Sequence, residues 1–254
     1  MDKDKTKGQQ LADELLVTPK NLGEKDHSLL ERSMEFCEGY KEFLNLKTER
    51  EIVDHTVSLL ESKGYTEYVR GKKYAPGDKF YLNNRDKSLL MVTMGKKPVS
   101  EGLRIGISHI DSPRLDLKPN PLFESTGMAY FKTHYYGGIK KYQWFTIPLS
   151  LHGVVCTGDG KTIKITVGEE EGEPQFCVTD LLPHLARNQM KKPVGEAFDA
   201  EDMNILIGSW PYDDDKVSEK VKLNIMNILN EKYGITEKDF LTAELCAVPA
   251  AKPM

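Results

Sequence analysis

The stretch LRIGISHIDSPRLDLKPNP, residues 103–121, marks a change in the character of the chain. Its apolar first half, Leu103–Ile110, predicts a strand, and the three prolines of its second half predict that regular pairing breaks there. His109 and Asp111 lie at the predicted strand end, and side chains two residues apart on a strand share a face. The sequence therefore predicts a histidine and a carboxylate side by side where the chain leaves a sheet.

Before this stretch, the pattern predicts two helices followed by short strands. Asp26 is a suitable cap for the first helix, and Thr48-Glu49-Arg50-Glu51 has the capping-box form for a second helix that ends near Gly64. Lys79–Leu82 and Ser88–Met94 then read as strands. The second of them lacks polar alternation, which is typical of a strand covered on both faces, so we predict an α/β layered fold.

After this stretch, the pattern is that of a β-rich unit. Met128–Tyr136 and Phe145–Cys156 are rich in aromatic and β-branched residues, which favour strands. Asp159-Gly160 predicts a hairpin turn into the strand Thr162–Val167. Helices are predicted at Asp180–Met190 and Val217–Tyr233, and a return strand at Phe240–Val248.

The change of pattern at both borders predicts a three-part organisation. Residues 1–118 form the first part of a layered α/β domain, residues 119–237 form an inserted β-rich domain, and residues 238–254 return to the first. We expect about residues 27–118 and 240–254 to share one sheet layer. Because the chain ends directly after an apolar strand, we also expect the C-terminal part of the layered domain to be absent.

Composition restricts the class of protein. The 254 residues include 35 basic and 39 acidic side chains, a net charge of −4 without a basic stripe, which argues against nucleic acid as a partner. No stretch has the length and apolarity of a membrane span or a secretory signal. The four cysteines are widely spaced, so we expect reduced, mostly buried thiols and a cytoplasmic location.

The string HIDSPRLDLKPNP, residues 109–121, resembles the first metal-site motif of the M18 aminopeptidases, a family that includes aspartyl aminopeptidases. Four further blocks resemble the family in order and spacing. They are Tyr136-Gly137-Gly138-Ile139, Pro148–Gly153, Leu182–Ala186 and Leu245–Ala250. The resemblance therefore covers most of the chain.

The resemblance implies a zinc peptidase that removes N-terminal residues from peptides with two Zn²⁺ ions per active site. It implies that His109 is a metal ligand, that Asp111 is the supporting catalytic carboxylate, and that His184 reaches the active site of a neighbouring subunit. It also implies a homo-oligomer formed through the inserted domain. The family's bridging aspartate, Glu-Glu pair, further carboxylate and late histidine have no counterpart here, so we expect an incomplete N-terminal portion without activity of its own.

Two other readings stay open at this point. One is a different zinc hydrolase that uses the His-x-Asp pair, and the other is a non-catalytic β-rich dimerisation module with a degenerate peptidase portion, because one histidine does not hold a zinc pair. Glu169-Glu170-Glu171 offers adjacent glutamates, but we interpret it as a solvated hairpin turn. We assign the remaining histidines, His152 among them, to packing or to the surface.

Overall fold

The computed structural model describes residues 5–17, 19 and 21–254, and its contacts divide the chain into two compact units. The first unit is the described part of residues 1–45 with Pro253 and Met254, and the second is Leu46–Lys252. The helices of the described chain are α1 (Lys7–Leu15), α2 (Leu22–Lys25), α3 (His27–Leu44), α4 (Glu49–Ser62), α5 (Val194–Ala197) and α6 (Lys220–Tyr233). Its strands are β1 (Thr66–Glu67), β2 (Lys79–Asn84), β3 (Ser88–Thr93), β4 (Arg114–Ser125), β5 (Met128–Tyr136), β6 (Leu149–Cys156), β7 (Thr162–Val167), β8 (Cys177–Val178), β9 (Ile205–Gly208) and β10 (Ala243–Pro249).

Both predicted caps are confirmed. In the first unit, the Asp26 side chain accepts a hydrogen bond from the backbone N–H of Leu29 and begins α3. In the second unit, Thr48 and Glu51 form a reciprocal capping box at the start of α4. Each cap satisfies backbone donors that the first helical turn leaves unpaired. Because the residues involved are close together in the chain, the sequence is sufficient to predict the cap.

A small mixed sheet follows α4. Strand β1 pairs parallel with β2, and β2 pairs antiparallel with β3 across a turn in which Arg85 and Asp86 adopt positive φ. The expectation that β3 is covered on both faces is wrong, because Leu90 and Met91 are more than half exposed. An apolar run indicates hydrophobicity, whereas burial depends on which elements pack against it.

The predicted strand Leu103–Ile110 is also wrong. The backbone from Leu103 to Pro113 has no regular structure, and the side chain of Ile107 is 92% exposed. A strand requires a neighbouring strand with which to exchange hydrogen bonds, and hydrophobic periodicity does not specify that neighbour. His109 and Asp111 therefore lie on an irregular segment that leads into β4.

A seven-stranded antiparallel sheet organises the rest of the second unit, in the order β7-β6-β10-β4-β5-β9-β8. The α/β class is confirmed by this sheet, the mixed sheet and their helices. The single sheet layer expected from residues 27–118 and 240–254 is wrong, because β1–β3 form a sheet of their own. β10 instead joins the seven-stranded sheet, where it pairs along its whole length with β6, from Ala243↔Val155 to Pro249↔Leu149, and at Leu115 and Asp116 with β4. The division at 118/119 and 237/238 remains a prediction, although β4 crosses the first border without interruption.

Regular pairing is interrupted around the prolines of β4, as the sequence predicts, but the strand itself continues through them. Its pairing with β5 is regular up to Leu117, shifts in register, and resumes at Leu122. Pro119 and Pro121 fall within the shifted stretch, where the missing proline N–H removes no ladder hydrogen bond with β5. The chain thus carries a single long strand through a segment that looks like a break.

The main core lies between the seven-stranded sheet and α6, which ends at Gly234 in the left-handed conformation, as predicted. The predicted helix Asp180–Met190 is wrong, since this segment forms turns and a 3₁₀ helix at Gln189–Lys191. Its leucines are exposed, so no buried apolar face stabilises a short helix there.

In the described chain, no helix has the length and apolarity to cross a membrane. Of the four cysteines only Cys246 is buried, which corrects the expectation of mostly buried thiols.

Candidate functional site

His109 and Asp111 lie together, as predicted, but not at a strand end. The Nδ1 atom of His109 lies 3.1 Å from the carbonyl oxygen of Asp111 and 3.7 Å from its carboxylate Oδ1. The His109 side chain is 86% exposed. A backbone carbonyl accepts only from a protonated nitrogen, so this contact favours the Nδ1–H tautomer and leaves the Nε2 lone pair available to a ligand.

Asp111 is held from the other side by β5. The hydroxyl of Tyr136 donates to Asp111 Oδ2 at 2.8 Å. This hydrogen bond lowers the pKa of Asp111, since it stabilises the carboxylate form, and it raises the pKa of Tyr136. The carboxylate beside His109 is therefore kept ionised and fixed in direction.

Arg114, the first residue of β4, supports Tyr136. Its guanidinium lies 4.1 Å from the centre of the Tyr136 ring, a cation–π contact, and the residue is buried. Arg114 also donates to Asp116 Oδ1 at 2.7 Å and to Glu49 Oε2 at 3.1 Å. Elements β4, β5 and α4 thus meet behind the His109–Asp111 pair.

The donor chemistry of this pair is suitable for zinc, but the number of donors is not. An imidazole nitrogen whose other ring N–H is bound to a carbonyl is the usual form of a zinc-ligating histidine. A catalytic zinc takes about three protein ligands. Among the residues that the structure describes, no group of three or more histidine, cysteine or acidic side chains is arranged to hold a metal ion.

His184 is not brought to this pair. It lies exposed in the turns between Asp180 and the 3₁₀ helix. In the described chain no hydrogen bond or ion pair joins it to His109 or Asp111. The role expected for His184 requires a second subunit, so it remains a prediction.

A second group of interacting polar side chains, which the sequence did not predict, is centred on His152 of β6. His152 is 3% exposed, and its Nδ1 lies 2.6 Å from Glu51 Oε1 while its Nε2 lies 2.9 Å from Glu169 Oε1. The Ser150 hydroxyl donates to Glu169 at 2.6 Å. We call His152, Glu51, Glu169 and Ser150 the His152 cluster.

The charges of the His152 cluster stabilise one another. Burial alone would lower the pKa of His152, but the hydrogen bonds and charges of Glu51 and Glu169 outweigh it and raise the pKa above its ordinary value. Burial would likewise raise the pKa of Glu51, and the hydrogen bond and charge of His152 lower it instead. With both ring nitrogens facing carboxylate oxygens, the cluster favours the imidazolium form.

The cluster corrects two sequence interpretations. Glu169 is not part of a solvated turn, since its side chain is 19% exposed, whereas Glu170 and Glu171 are exposed as expected. His152 is more than a packing residue. One signal was available: Ser150 and His152 lie two apart on a predicted strand and so share a face. Their partner on α4 lies 101 residues before His152 and carries no local mark of the contact.

The His152 cluster superficially resembles a nucleophilic triad, because Ser150 Oγ lies 3.2 Å from His152 Nε2 and a glutamate faces Nδ1. Ser150 is fully buried, however, so no substrate reaches its hydroxyl. Its hydroxyl proton is also directed to Glu169 and not to the imidazole. The cluster is therefore structural, and the exposed His109 is the better candidate for chemistry.

Comparison with known proteins places this chain in a family. The sequence model described as "Aminopeptidase I zinc metalloprotease (M18)" matches residues 43–254. The probable M18 family aminopeptidase 1 of Clostridium acetobutylicum is 47% identical over 248 residues, covering 95% of this chain and 53% of that protein. The protein of the same name from Thermotoga maritima is 40% identical over 228 residues, covering 89% of this chain and 50% of its own length.

Solved structures of M18 aminopeptidases share the fold of this chain. The crystal structure of aminopeptidase I from Clostridium acetobutylicum superposes with a TM-score of 0.84 at 43% identity, covering 94% of this chain and 54% of that one. The M18 aminopeptidase from Thermotoga maritima superposes with a TM-score of 0.83 at 40% identity, covering 88% and 49%. The chain spans about half the length of the curated relatives it matches. Sequence and fold together show that this chain belongs to the M18 family of zinc metalloproteases, the aminopeptidase I family.

Proposed function

We propose that this chain forms part of a metal-dependent aminopeptidase in which His109 is a zinc ligand and Asp111 orients it. One observation carries the proposal beyond family membership. His109 is almost fully exposed, with Nδ1 engaged by the Asp111 carbonyl and Nε2 left available. A histidine used only for packing would be covered, as His152 is.

The residues of this chain contribute orientation more than reactivity. Asp111 fixes the ring of His109 through its carbonyl group, and its ionised carboxylate adds negative charge beside the ring. Two zinc ions, when bound, would supply an activated water and polarise the scissile carbonyl. The described residues do not supply the remaining ligands or a general base, so we propose that the chain alone is not catalytically competent.

Self-association forms the second part of the proposal. The β-rich region of residues 119–237 presents two sheet edges, β7 and β8, and unpaired strand edges favour pairing with another chain. We propose that this region acts as the inserted dimerisation domain and that it carries His184 toward a neighbouring active site. Light scattering at high protein concentration tests the association, and a monodisperse monomer would contradict it.

The activity is tested with aminoacyl-p-nitroanilides in the presence of zinc, manganese or cobalt. The chain of 254 residues is expected to show no significant turnover. Sequencing the reading frame past the codon for Met254 shows whether an aspartate, a Glu-Glu pair and a histidine follow, and the assay is then repeated on the full product.

If the protein encoded by the complete reading frame is active, His109→Ala is expected to lower its turnover at least about 10²-fold, which is the scale of losing an essential catalytic group. The same substitution is expected to lower the amount of bound zinc, measured by mass spectrometry. His134→Ala is the matched control, because His134 is also an exposed histidine of this region. Equal zinc content and turnover in both variants would remove His109 from the site. Inactivity of the full metal-loaded product would favour the non-catalytic alternative.

A further inference from the structure

We infer that Tyr136, held in place by Arg114, is a positioning residue that fixes Asp111 and through it the orientation of the His109 ring. This inference rests on the proposed function, in which His109 is the ligand that must be oriented. It assigns Arg114 of β4 and Tyr136 of β5 a role that acts through Asp111. The role is to make an exposed, irregular segment rigid at one point.

The need for such a support follows from the backbone. Residues 103–113 have no ladder hydrogen bonds, and neighbouring apolar side chains such as Ile105 and Ile107 are exposed. A segment of this kind samples many conformations unless specific contacts restrain it. The hydroxyl of Tyr136 provides such a contact at Asp111 Oδ2, two residues from His109.

The Tyr136 ring is itself restrained by a fixed anchor. Arg114 and Tyr136 are direct partners in the β4–β5 ladder, which places the guanidinium over the ring. Arg114 is buried and held by Asp116 and Glu49, so its position is set by β4 and α4 together. Pro113, next to Arg114, lies close to Gly137, so that a Cβ atom added to Gly137 would be 3.7 Å from the proline. The irregular segment is thus held to Tyr136 of β5 at Asp111 and runs close to Gly137 at Pro113.

The consequence for His109 is a preferred tautomer. Fixing the Asp111 side chain fixes its carbonyl group, which accepts the Nδ1 proton. If the Tyr136 hydroxyl is removed, Asp111 gains freedom and the carbonyl is no longer held in front of Nδ1. The fraction of His109 that presents a free Nε2 lone pair should then fall, before any metal is considered.

The test uses the metal-free chain of 254 residues and reads the His109 ring nitrogens by two-bond ¹H–¹⁵N correlation at alkaline pH. Tyr136→Phe removes the hydroxyl and keeps the ring over Arg114. We expect the ratio of the Nδ1–H to the Nε2–H tautomer at His109 to fall by about fivefold, the scale of losing one hydrogen bond. His109→Gln identifies the resonances of the ring.

The matched control is Tyr81→Phe, because the Tyr81 hydroxyl also donates to a carboxylate at 2.8 Å, that of Glu61. Both variants are expected to lower the unfolding midpoint by a few degrees, whereas only Tyr136→Phe should change the His109 tautomer. Arg114→Lys keeps the charge but loses the planar guanidinium that donates to both Asp116 and Glu49. It should also lower the ratio of the Nδ1–H to the Nε2–H tautomer at His109.

An unchanged His109 tautomer in folded Tyr136→Phe overturns the inference, and so does an equal shift in the Tyr81→Phe control. Because the measurement uses neither metal nor substrate, these results leave the proposed aminopeptidase function standing. Conversely, a shifted tautomer supports the positioning role even if the full product has no peptidase activity. The two failures are therefore distinguishable.

Discussion

His109 and His152 are the same residue type in opposite environments. His109 is 86% exposed on an irregular segment, and the partner within hydrogen-bond distance of its ring is the carbonyl of a residue two positions away. His152 is 3% exposed, and its ring is held between carboxylates from α4 and from the loop after β7. The first arrangement leaves a nitrogen available for chemistry, and the second uses both nitrogens to join elements of the fold.

The difference also separates reactivity from stability. Both nitrogens of His152 are satisfied and the residue is only 3% exposed, so a ligand would first have to break a largely buried ion pair. The ring of His109 gives little to the folded state, because its contact is local and solvated. A histidine that serves one role well is thus poorly suited to the other, and this contrast leads to three predictions.

The largest expected effect is on stability when the two rings are removed in turn. His152→Ala leaves Glu51 and Glu169 facing each other without a cation, and we expect the free energy of unfolding to fall by about 2–4 kcal/mol, somewhat below the range for fully buried pairs. His109→Ala should change it by less than about 0.5 kcal/mol, as is usual for exposed side chains. Urea unfolding of both variants measures this, and equal losses would abolish the distinction.

A smaller effect is expected from pH. The raised pKa of His152 contributes stability that is fully present below its ordinary value of 6.5 and is lost as the pH rises through the raised value. The lowered pKa of Glu51 contributes stability above its ordinary value of 4.5, lost as the pH falls through the lowered value. We therefore expect maximal stability between these limits.

The alkaline loss should be on the order of 1 kcal/mol, because a neutral ring still donates one of its two hydrogen bonds. Urea unfolding at several pH values from 5.5 upward measures it, and His152→Gln is the control in which this loss should disappear. If wild type and control show the same slope above pH 6.5, another group is responsible and the imidazolium assignment is wrong.

The smallest effect is expected one helical turn from Glu51. Asp54 also lies on α4 and forms an ion pair with Lys164 of β7, but its side chain is 47% exposed and that of Lys164 is 75% exposed. Asp54→Asn should change the free energy of unfolding by less than about 0.5 kcal/mol, since solvent screens the pair. Glu51→Gln, its buried counterpart, should cost clearly more in the same measurement, and a larger loss from Asp54→Asn would contradict the role given to burial.

Several features could be predicted because they depend on residues close together in the chain. The caps at Asp26 and Thr48 satisfy nearby backbone donors, and α6 ends at Gly234 because glycine enters the left-handed region without strain. The strands β5 and β7 have the predicted bounds, and the Asp159-Gly160 turn joins β6 to β7. The five sequence blocks likewise identified the family, which the comparisons confirm.

Other features depend on which distant segments meet, and periodicity carries no information about that. Hydrophobic pattern marked both Leu103–Ile110 and β10 as strands, but only β10 has neighbours to pair with, and those neighbours are β6 and β4. The backbone groups of a strand can pair with any neighbouring strand, so tertiary packing decides which strand becomes the partner.

The candidate site shows the same division. The sequence by itself determined that His109 and Asp111 would lie close, because only Ile110 separates them in the chain. Only the tertiary structure decided that Tyr136 and Arg114 support them and that His152 is enclosed by Glu51 and Glu169. The physical reason is that hydrogen bonds and ion pairs act over a few ångströms of space, whatever the distance along the chain.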